Sequence, residues 1–519
     1  MQNHHLCSAT FPAMSTIRRQ SILSSGIIYL GFALGFLNTY LFTRQGGFTQ
    51  SEYGLYGTFM GVANIINAFA NFGMQAYIYK FYPYYQDNLK VKDNDMMGWA
   101  FVTSVFGFIM VLSAAYIFKG LVVRKFSANS PDFVKYYAWV FPLGFGLTMY
   151  SILEAYAWQL RKSVLTSFLR EMLFRLFTSA LAIFFFLHII RNFDLFIKLF
   201  SLTYILLAII LLVILVRSGE IHLTLRISRV SRKFFRKILL LCTFIWSGGL
   251  IQNIAYVFDN IVIAAVIPNG LAWAGIFSLA QNIASLIQAP QRGIVAASIG
   301  HLSRAWKDKD FEKIRRIYQR SSINQLIFAC GIFALIWMNF LDGVKNFHLQ
   351  PAYQQAMPVF LYLGLWRIID MGTGVNSQII GTSTLWRFEF VTGIFLLAIT
   401  LPLNYLLAKK LGVVGPAIAT LISYSIYNLI RFLFLLKKFG LQPFNSKTPL
   451  TLLLCVFAYF LSYFLFNHIH GFAAMALRSL CFLLVYITGT LLLRLSPDVI
   501  PVWNTLIKKL SIPYLRTRK

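Results

Sequence analysis

The sequence predicts an all-α polytopic membrane protein with about fourteen transmembrane helices. Three observations predict it. First, apolar runs such as Leu206-Leu-Ala-Ile-Ile-Leu-Leu-Val-Ile-Leu-Val216 and Gly331-Ile-Phe-Ala-Leu-Ile-Trp-Met-Asn339 recur from end to end, and they are continuous. A helix rises about 1.5 Å per residue, so about 20 such residues cross a hydrocarbon core about 30 Å thick. A membrane barrel would alternate apolar and polar residues instead. Second, of 519 residues 58% are hydrophobic and only 12% charged, with a mean hydropathy of +0.66; soluble domains carry about 25% charged residues. Third, the net charge of +30, from 47 Lys+Arg and 17 Asp+Glu, sits between the runs. Basic connections on the cytoplasmic face orient helices and meet anionic lipid headgroups, which assigns this charge to the membrane rather than to nucleic acid.

In chain order the spans fall at 21–43, 54–78, 96–118, 133–158, 165–188, 195–216, 239–266, 272–291, 323–341, 355–381, 388–408, 413–436, 449–467 and 471–494. Each is mostly apolar and of about bilayer length. An even number of spans with a cytoplasmic N-terminus puts both termini inside. It also puts both dense basic clusters inside: Arg226, Arg229, Arg232, Lys233, Arg236, Lys237, and Lys307, Lys309, Lys313, Arg315, Arg316, Arg320. In the second cluster Phe311, Ile314 and Tyr318 follow a helical period, which predicts a short helix lying on the inner interface. Every outside loop is short. Cys7, Cys242, Cys330, Cys455 and Cys481 lack metal-ligand spacing and read as small core residues. The first run has spanning length and no cleavage site, so no cleavable signal is expected. The polar, His-containing residues before Met14 read as a start-site extension.

A faint internal repeat appears at an offset of 221 residues. It lays Gly54 on Gly275, Tyr56 on Phe277, Ala63 on Ala284, Ala68 on Ala289 and Asn38 on Asp259. Chance similarity is the alternative. A real repeat separated by six spans keeps its orientation, so the lobes would be parallel repeats. The expected organisation is a cytoplasmic segment 1–20, an N-lobe 21–216, a basic cytoplasmic linker 217–238, a C-lobe 239–436, an extra helix pair 437–494 and a basic cytoplasmic tail 495–519.

Polar groups inside spans are costly, so their placement is the best local clue to function. Asn64, Asn67, Asn71 and Gln75 share one face of the second span; Gln281, Ser285, Gln288 and Arg292 share one face of the eighth. Two readings fit: a wet cavity shared by the lobes, or interhelical hydrogen bonds in a tight bundle. The seventh span aligns Gln252, Tyr256 and Asp259. A buried carboxylate is protonated, holds a cation or meets an Arg from another span, which makes Asp259 the first candidate for ion coupling. The fourth and fifth spans turn near Arg161-Lys162 and bring Glu154 to the depth of Arg170; Glu171 and Arg175 form an i,i+4 pair. Either all four neutralise one another, or Arg170 or Arg175 receives a phosphate with its forked donors. In the tenth span Arg367 and Asp370 are spaced i,i+3, ahead of Gly372-Thr-Gly-Val-Asn376, a segment expected to kink or unwind. Again the pair is either self-neutralising or part of a transport site. Arg431 and Arg478 are expected to snorkel. No P-loop, His-Glu-x-x-His, Gly-x-Ser-x-Gly or cysteine pair appears, so neither an enzyme nor a metal or cofactor is expected.

The segments Glu52-Tyr-Gly-Leu-Tyr-Gly57, Phe258-Asp-Asn-Ile-Val-Ile, Ala274-Gly-Ile-Phe-Ser-Leu-Ala, Ser322-Ile-Asn-Gln-Leu, Ile369-Asp-Met-Gly-Thr-Gly-Val-Asn376, Leu403-Asn-Tyr-Leu-Leu407 and Gly412-Val-Val-Gly-Pro-Ala-Ile-Ala-Thr420 follow one another in fixed order. Over roughly residues 18 to 440 they resemble bacterial oligosaccharide flippases of the polysaccharide transporter family, within the multidrug/oligosaccharidyl-lipid/polysaccharide exporter superfamily. The resemblance implies two six-helix lobes in parallel pseudo-repeat (MATE-like), here with a C-terminal helix pair, in the bacterial inner membrane. It implies alternating access and an undecaprenyl-diphosphate-linked oligosaccharide moved from the cytoplasmic to the periplasmic leaflet for surface polysaccharide. Polymerase and chain-length proteins of the same assembly route would be partners, beside anionic lipids. Substrate-binding candidates are then Arg170, Arg175, Arg292, Arg367, Asn64, Asn67, Asn71, Gln281, Ser285 and Gln288; ion-coupling candidates are Asp259, Asp370 and Glu154. Multidrug exporters of the superfamily often carry a carboxylate in the first span, where this chain has Asn38, and that weakens an ion-coupled drug-export alternative. A polymerase or ligase is a further alternative, disfavoured by the short outside loops.

Overall fold

The computed structural model describes residues 16–498; the side chains of 16–26, 28, 29, 292, 296, 297 and 386 lie outside the description, as do the expected extension before Met14, Cys7 and the chain beyond 498. Among the described residues the regular structure is helical, apart from one isolated bridge between Arg44 and Leu349. Among the described residues nine helices are long and apolar enough to cross a membrane, or ten if the pair Gly270–Ser285 and Ala289–Lys307, bent by 51°, counts as one span.

The expected spans that lie outside those nine include four that are broken or bent. The second is split into Gln50–Ala70 and Met74–Asn88, with Phe72 and Gly73 both at positive φ in between. The fifth runs through Ser163–Ser167, a π-helical turn Phe168–Leu173 and Phe174–Phe186. The eighth bends after Ser285. The tenth ends at Gly372 and resumes as Asn376–Thr382, and Gly374 between them has φ +66, which glycine adopts without a steric cost. The expected break there is present.

Local chemistry explains the helix ends. Thr49 and Glu52 form a reciprocal capping box ahead of Gln50–Ala70: the Thr49 N–H donates to Glu52 Oε2 (2.7 Å), and the Glu52 N–H donates to Thr49 Oγ1 (3.2 Å). Asp310 caps Phe311–Asn346 by accepting from the Lys313 N–H at 3.0 Å. That 36-residue helix is continuous and corrects the expectation of a short interfacial helix. Ile314 and Tyr318 are fully buried against Leu302, Val375 and Leu435, while Phe311 at the start of the same period is 43% exposed, so two of the three residues of that stripe face protein. The seventh helix, Arg229–Val266, likewise starts inside the expected linker and carries its basic cluster in its first turns.

The chain divides into two compact units: residues 1–42, 63–118 and 137–247, and residues 43–62, 119–136 and 248–519. In the first, the sixth span buries Phe196, Phe200, Leu207, Leu211 and Leu215, while Leu206, Ile209 and Val213 of the same helix are exposed. Both faces are apolar because lipid is as apolar as the protein core; hydrophobicity alone cannot tell them apart. In the second unit the repeat-equivalent Gly54 and Gly275 lie against each other. A Cβ on Gly54 would come within 2.8 Å of the Gly275 nitrogen, and one on Gly275 within 3.1 Å of the Gly54 nitrogen. The thirteenth and fourteenth spans, Lys447–Leu465 and Gly471–Leu492, pack on the ninth through Cys330, Cys455, Phe482 and Tyr486.

Candidate functional site

In the first unit the fourth and fifth spans present charged groups at one level. Arg170 Nη1 donates to Glu154 Oε2 at 2.8 Å; Glu154 is nearly buried, whereas 47% of the Arg170 side chain is exposed. Arg170 and Glu171 both lie in the π-helical turn; Arg170 meets the fourth span at Glu154, and Glu171 lies against Gly31 of the first span. Arg175 bonds Glu171 Oε2 at 3.1 Å and the Gly31 carbonyl. Asn38 donates to the Arg175 carbonyl (3.1 Å) and accepts from Ser179 (2.5 Å), a second tie between the first and fifth spans.

The amide face of the second span is partly knitted to its neighbour. Asn67 accepts from Ser151 Oγ at 3.1 Å, and Gln75 donates to the Ser151 carbonyl at 3.3 Å. Asn71 is buried at the break and accepts from the Gln75 N–H; Asn64 is half-buried.

In the second unit Asp259 is 4% exposed. It accepts from Asn404 Nδ2 at 2.8 Å and from Thr420 Oγ1 at 3.0 Å, so its hydrogen-bond donors are neutral. Asn404 Oδ1 and Thr400 Oγ1 are buried with no hydrogen-bond partner among the described residues. Gln281 accepts from Asn260 at 3.1 Å, Ser285 bonds its own helix at the Asn282 carbonyl, and Gln288 is half-buried; the Arg292 side chain lies outside the description.

Asp370, at the broken tenth span, accepts from Gln291 (3.0 Å) and Asn428 (3.2 Å), and Asn428 in turn accepts from Thr373 and Asn376. Arg367 is buried with its guanidinium 3.7 Å from the centre of the Trp366 ring. Arg431 and Arg478 do not snorkel. Arg431 is 5% and Arg478 4% exposed, Arg431 paired with Glu389 and stacked on Tyr427, Arg478 paired with Asp342 at 2.6 Å. A carboxylate on a neighbouring helix makes inward burial cheaper than reaching for the headgroups. Gln291, Asn428 and Glu389 are not among the residues the sequence singles out, and Asn404 and Thr420 enter there only within the ordered segments; an Asn in an apolar run is the sequence signal for Asn428.

No protein-family model matches the chain, and no curated protein matches it in sequence. Solved structures do. One, a lipid II flippase, MurJ, in an inward closed conformation, has a TM-score of 0.70 at 16% identity over 92% of this chain and 100% of its own. An inward-facing multidrug resistance MATE family transporter of the MOP superfamily has a TM-score of 0.63 at 16% identity over 80% of this chain and 97% of its own. A MOP superfamily transporter from Pyrococcus furiosus follows with a TM-score of 0.54 at 15% identity, over 81% and 97%. Helices of spanning length, a broken second and tenth span, and this likeness along nearly the whole chain make it a multi-pass helical membrane protein built on the fold that the lipid II flippase and the MATE transporters of the MOP superfamily share.

Proposed function

We propose that the protein is a flippase that carries an undecaprenyl-diphosphate-linked oligosaccharide across the bacterial inner membrane, from the cytoplasmic to the periplasmic leaflet, by alternating access. The observation that carries this is the extent of the fold likeness: 92% of the chain aligns with the lipid II flippase, against 80% with the inward-facing multidrug transporter. The chemistry supports it. Arg170 keeps donors on its exposed side while Glu154 holds it in place, which suits a diphosphate arriving from solvent. Arg175 fixes the first span against the fifth. In the other unit Asp259 accepts a proton or a cation, with Asn404 and Thr400 offering further oxygens, and so couples transport to an ion gradient. The polyprenyl tail stays in lipid throughout. Both termini face the cytoplasm in this proposal, and Arg229, Arg232 and Lys233, which line a cleft of about 330 Å³ with Ile227, meet anionic headgroups. Polymerase and chain-length proteins would act on the product.

Reconstitution tests it. Proteoliposomes carrying a fluorescent lipid-linked oligosaccharide in the inner leaflet should expose it to an external lectin at a rate set by the protein. An unaltered rate relative to empty liposomes would count against the proposal.

A further inference from the structure

The hairpin of the fourth and fifth spans carries a second rung below the Glu154–Arg170 pair. Trp158 Nε1 donates to Thr166 Oγ1 at 2.9 Å. Glu154 and Trp158 are spaced i,i+4 on one helix; Thr166 and Arg170 stand four residues apart on the other, across the entry to the π-helical turn. The two rungs are therefore about one helical turn apart, roughly 5–6 Å, with Trp158 nearer the turn at Arg161. Tyr79 of the second span stacks on Trp158, with ring centres 5.8 Å apart and planes 16° from parallel. Both rings are open: Trp158 is 46% and Tyr79 39% exposed. Tyr79 is also within electrostatic reach of both Glu154 and Arg170.

A tryptophan of an interfacial aromatic belt keeps its ring N–H for water and headgroups. Here that N–H is spent inside the protein, while both stacked rings stay over a third exposed. A stacked, partly exposed aromatic pair about one helical turn from a half-exposed arginine side chain matches a sugar linked to phosphate. The C–H face of a pyranose rests on the rings while the phosphate oxygens meet the forked donors. The order also matches a lipid-linked sugar: Arg170 lies deeper along the hairpin than Trp158, as diphosphate lies deeper in a leaflet than the sugar it carries. We infer that Tyr79 and Trp158 form a platform for the first sugar of the cargo, the residue bonded to the diphosphate that Arg170 holds. This rests on the flippase proposal and adds to it a subsite for the carbohydrate.

The test uses the full-length protein in nanodiscs and two probes: farnesyl diphosphate, and the same diphosphate bearing one N-acetylglucosamine. Calorimetric titration should show the glycosylated probe binding about tenfold more tightly to the parent protein. In Trp158→Leu and in Tyr79→Leu that difference between probes should collapse to within about twofold, and Trp158→Phe should restore most of it. Arg170→Ala should weaken both probes. A sugar-dependent difference that persists in both leucine variants overturns the platform, as does a parent protein that binds both probes equally in an Arg170-dependent manner. A parent protein that binds neither probe overturns the flippase proposal, and the platform with it. Should the leucine variants fail to fold, saturation-transfer NMR on the parent protein decides. Transfer stronger to the sugar ring protons than to the acetyl methyl supports the platform, and equal or absent transfer overturns it.

Discussion

The 221-residue offset pairs Asn38 in the first unit with Asp259 in the second, and both are nearly buried. Their surroundings treat them differently. Asn38 donates to one group on the fifth span and accepts from another, so both ends of its amide are engaged in a tie. Asp259 only accepts, from a neutral amide on the eleventh span and a neutral hydroxyl on the twelfth. An amide satisfied on both sides has one state. A carboxylate among neutral donors has at least two, because burying it charged without a counter-ion costs several kcal/mol and a proton or cation removes that cost. In the proposed transport cycle Asn38 is the fixed polar tie and Asp259 the group that changes state.

The largest expected effect follows from removing the switch. Asp259→Asn keeps the shape and the hydrogen bond from Thr420. It should cut gradient-driven flipping in proteoliposomes at least about tenfold, while leaving the gradient-independent rate within about twofold. Equal loss of both rates would mean that Asp259 serves only the fold.

Placing a carboxylate at the equivalent site sharpens the contrast. Asn38→Asp loses the donor to the Arg175 carbonyl and sets two acceptors face to face. It should lower stability by about 1–3 kcal/mol, read as a fall in detergent melting temperature at neutral pH. An unchanged melting temperature would show that the two positions are interchangeable.

Glu154→Gln probes the Arg170 rung. Breaking a fully buried pair costs about 3–5 kcal/mol, but solvent reaches almost half of the Arg170 side chain. The expected loss is therefore nearer about 1 kcal/mol. The freed guanidinium should bind farnesyl diphosphate about threefold more tightly. Weaker binding would mean that Glu154 is needed to aim it.

The smallest effect lies outside the membrane, where Lys162 pairs with Glu220 at the end of the same hairpin. Partial burial pushes the Glu220 carboxyl up, but hydrogen bonds from Lys162 and Ser218 and the Lys162 charge outweigh it and hold the group below its ordinary range. A carboxylate depressed in the folded state stabilises the fold above its unfolded pKa, and the contribution disappears as pH falls through the lowered folded value. Glu220→Gln should therefore lower the melting temperature slightly at pH 7, by a difference that shrinks as the pH falls below the ordinary glutamate range. A difference that grows on acidification would reverse the sign of the pair's contribution.

Much of this was legible in the sequence. Span positions follow from apolar length, and the break at Gly374 from a Gly-Thr-Gly segment beside charged residues. The Glu154–Arg170 pair followed from equal depth on two arms of a hairpin. Other features were hidden for identifiable reasons. A π-helical turn at Phe168–Leu173 leaves no compositional mark. Arg431 and Arg478 looked like snorkelling residues because their carboxylate partners, Glu389 and Asp342, lie on other helices. Ile314 and Tyr318 formed a convincing interfacial stripe because a buried face and a lipid-facing one share the same residue types and period.

The sequence by itself determined that the chain is a many-span helical membrane protein. Bilayer thickness and the need to satisfy every backbone hydrogen bond within a span leave few other ways to place so much apolar length. Only the tertiary structure decided which polar side chains are tied and which can change state. That depends on donors and acceptors contributed by helices far apart in the chain, and in a lipid solvent no hydrophobic pattern records which face each helix turns toward its neighbours.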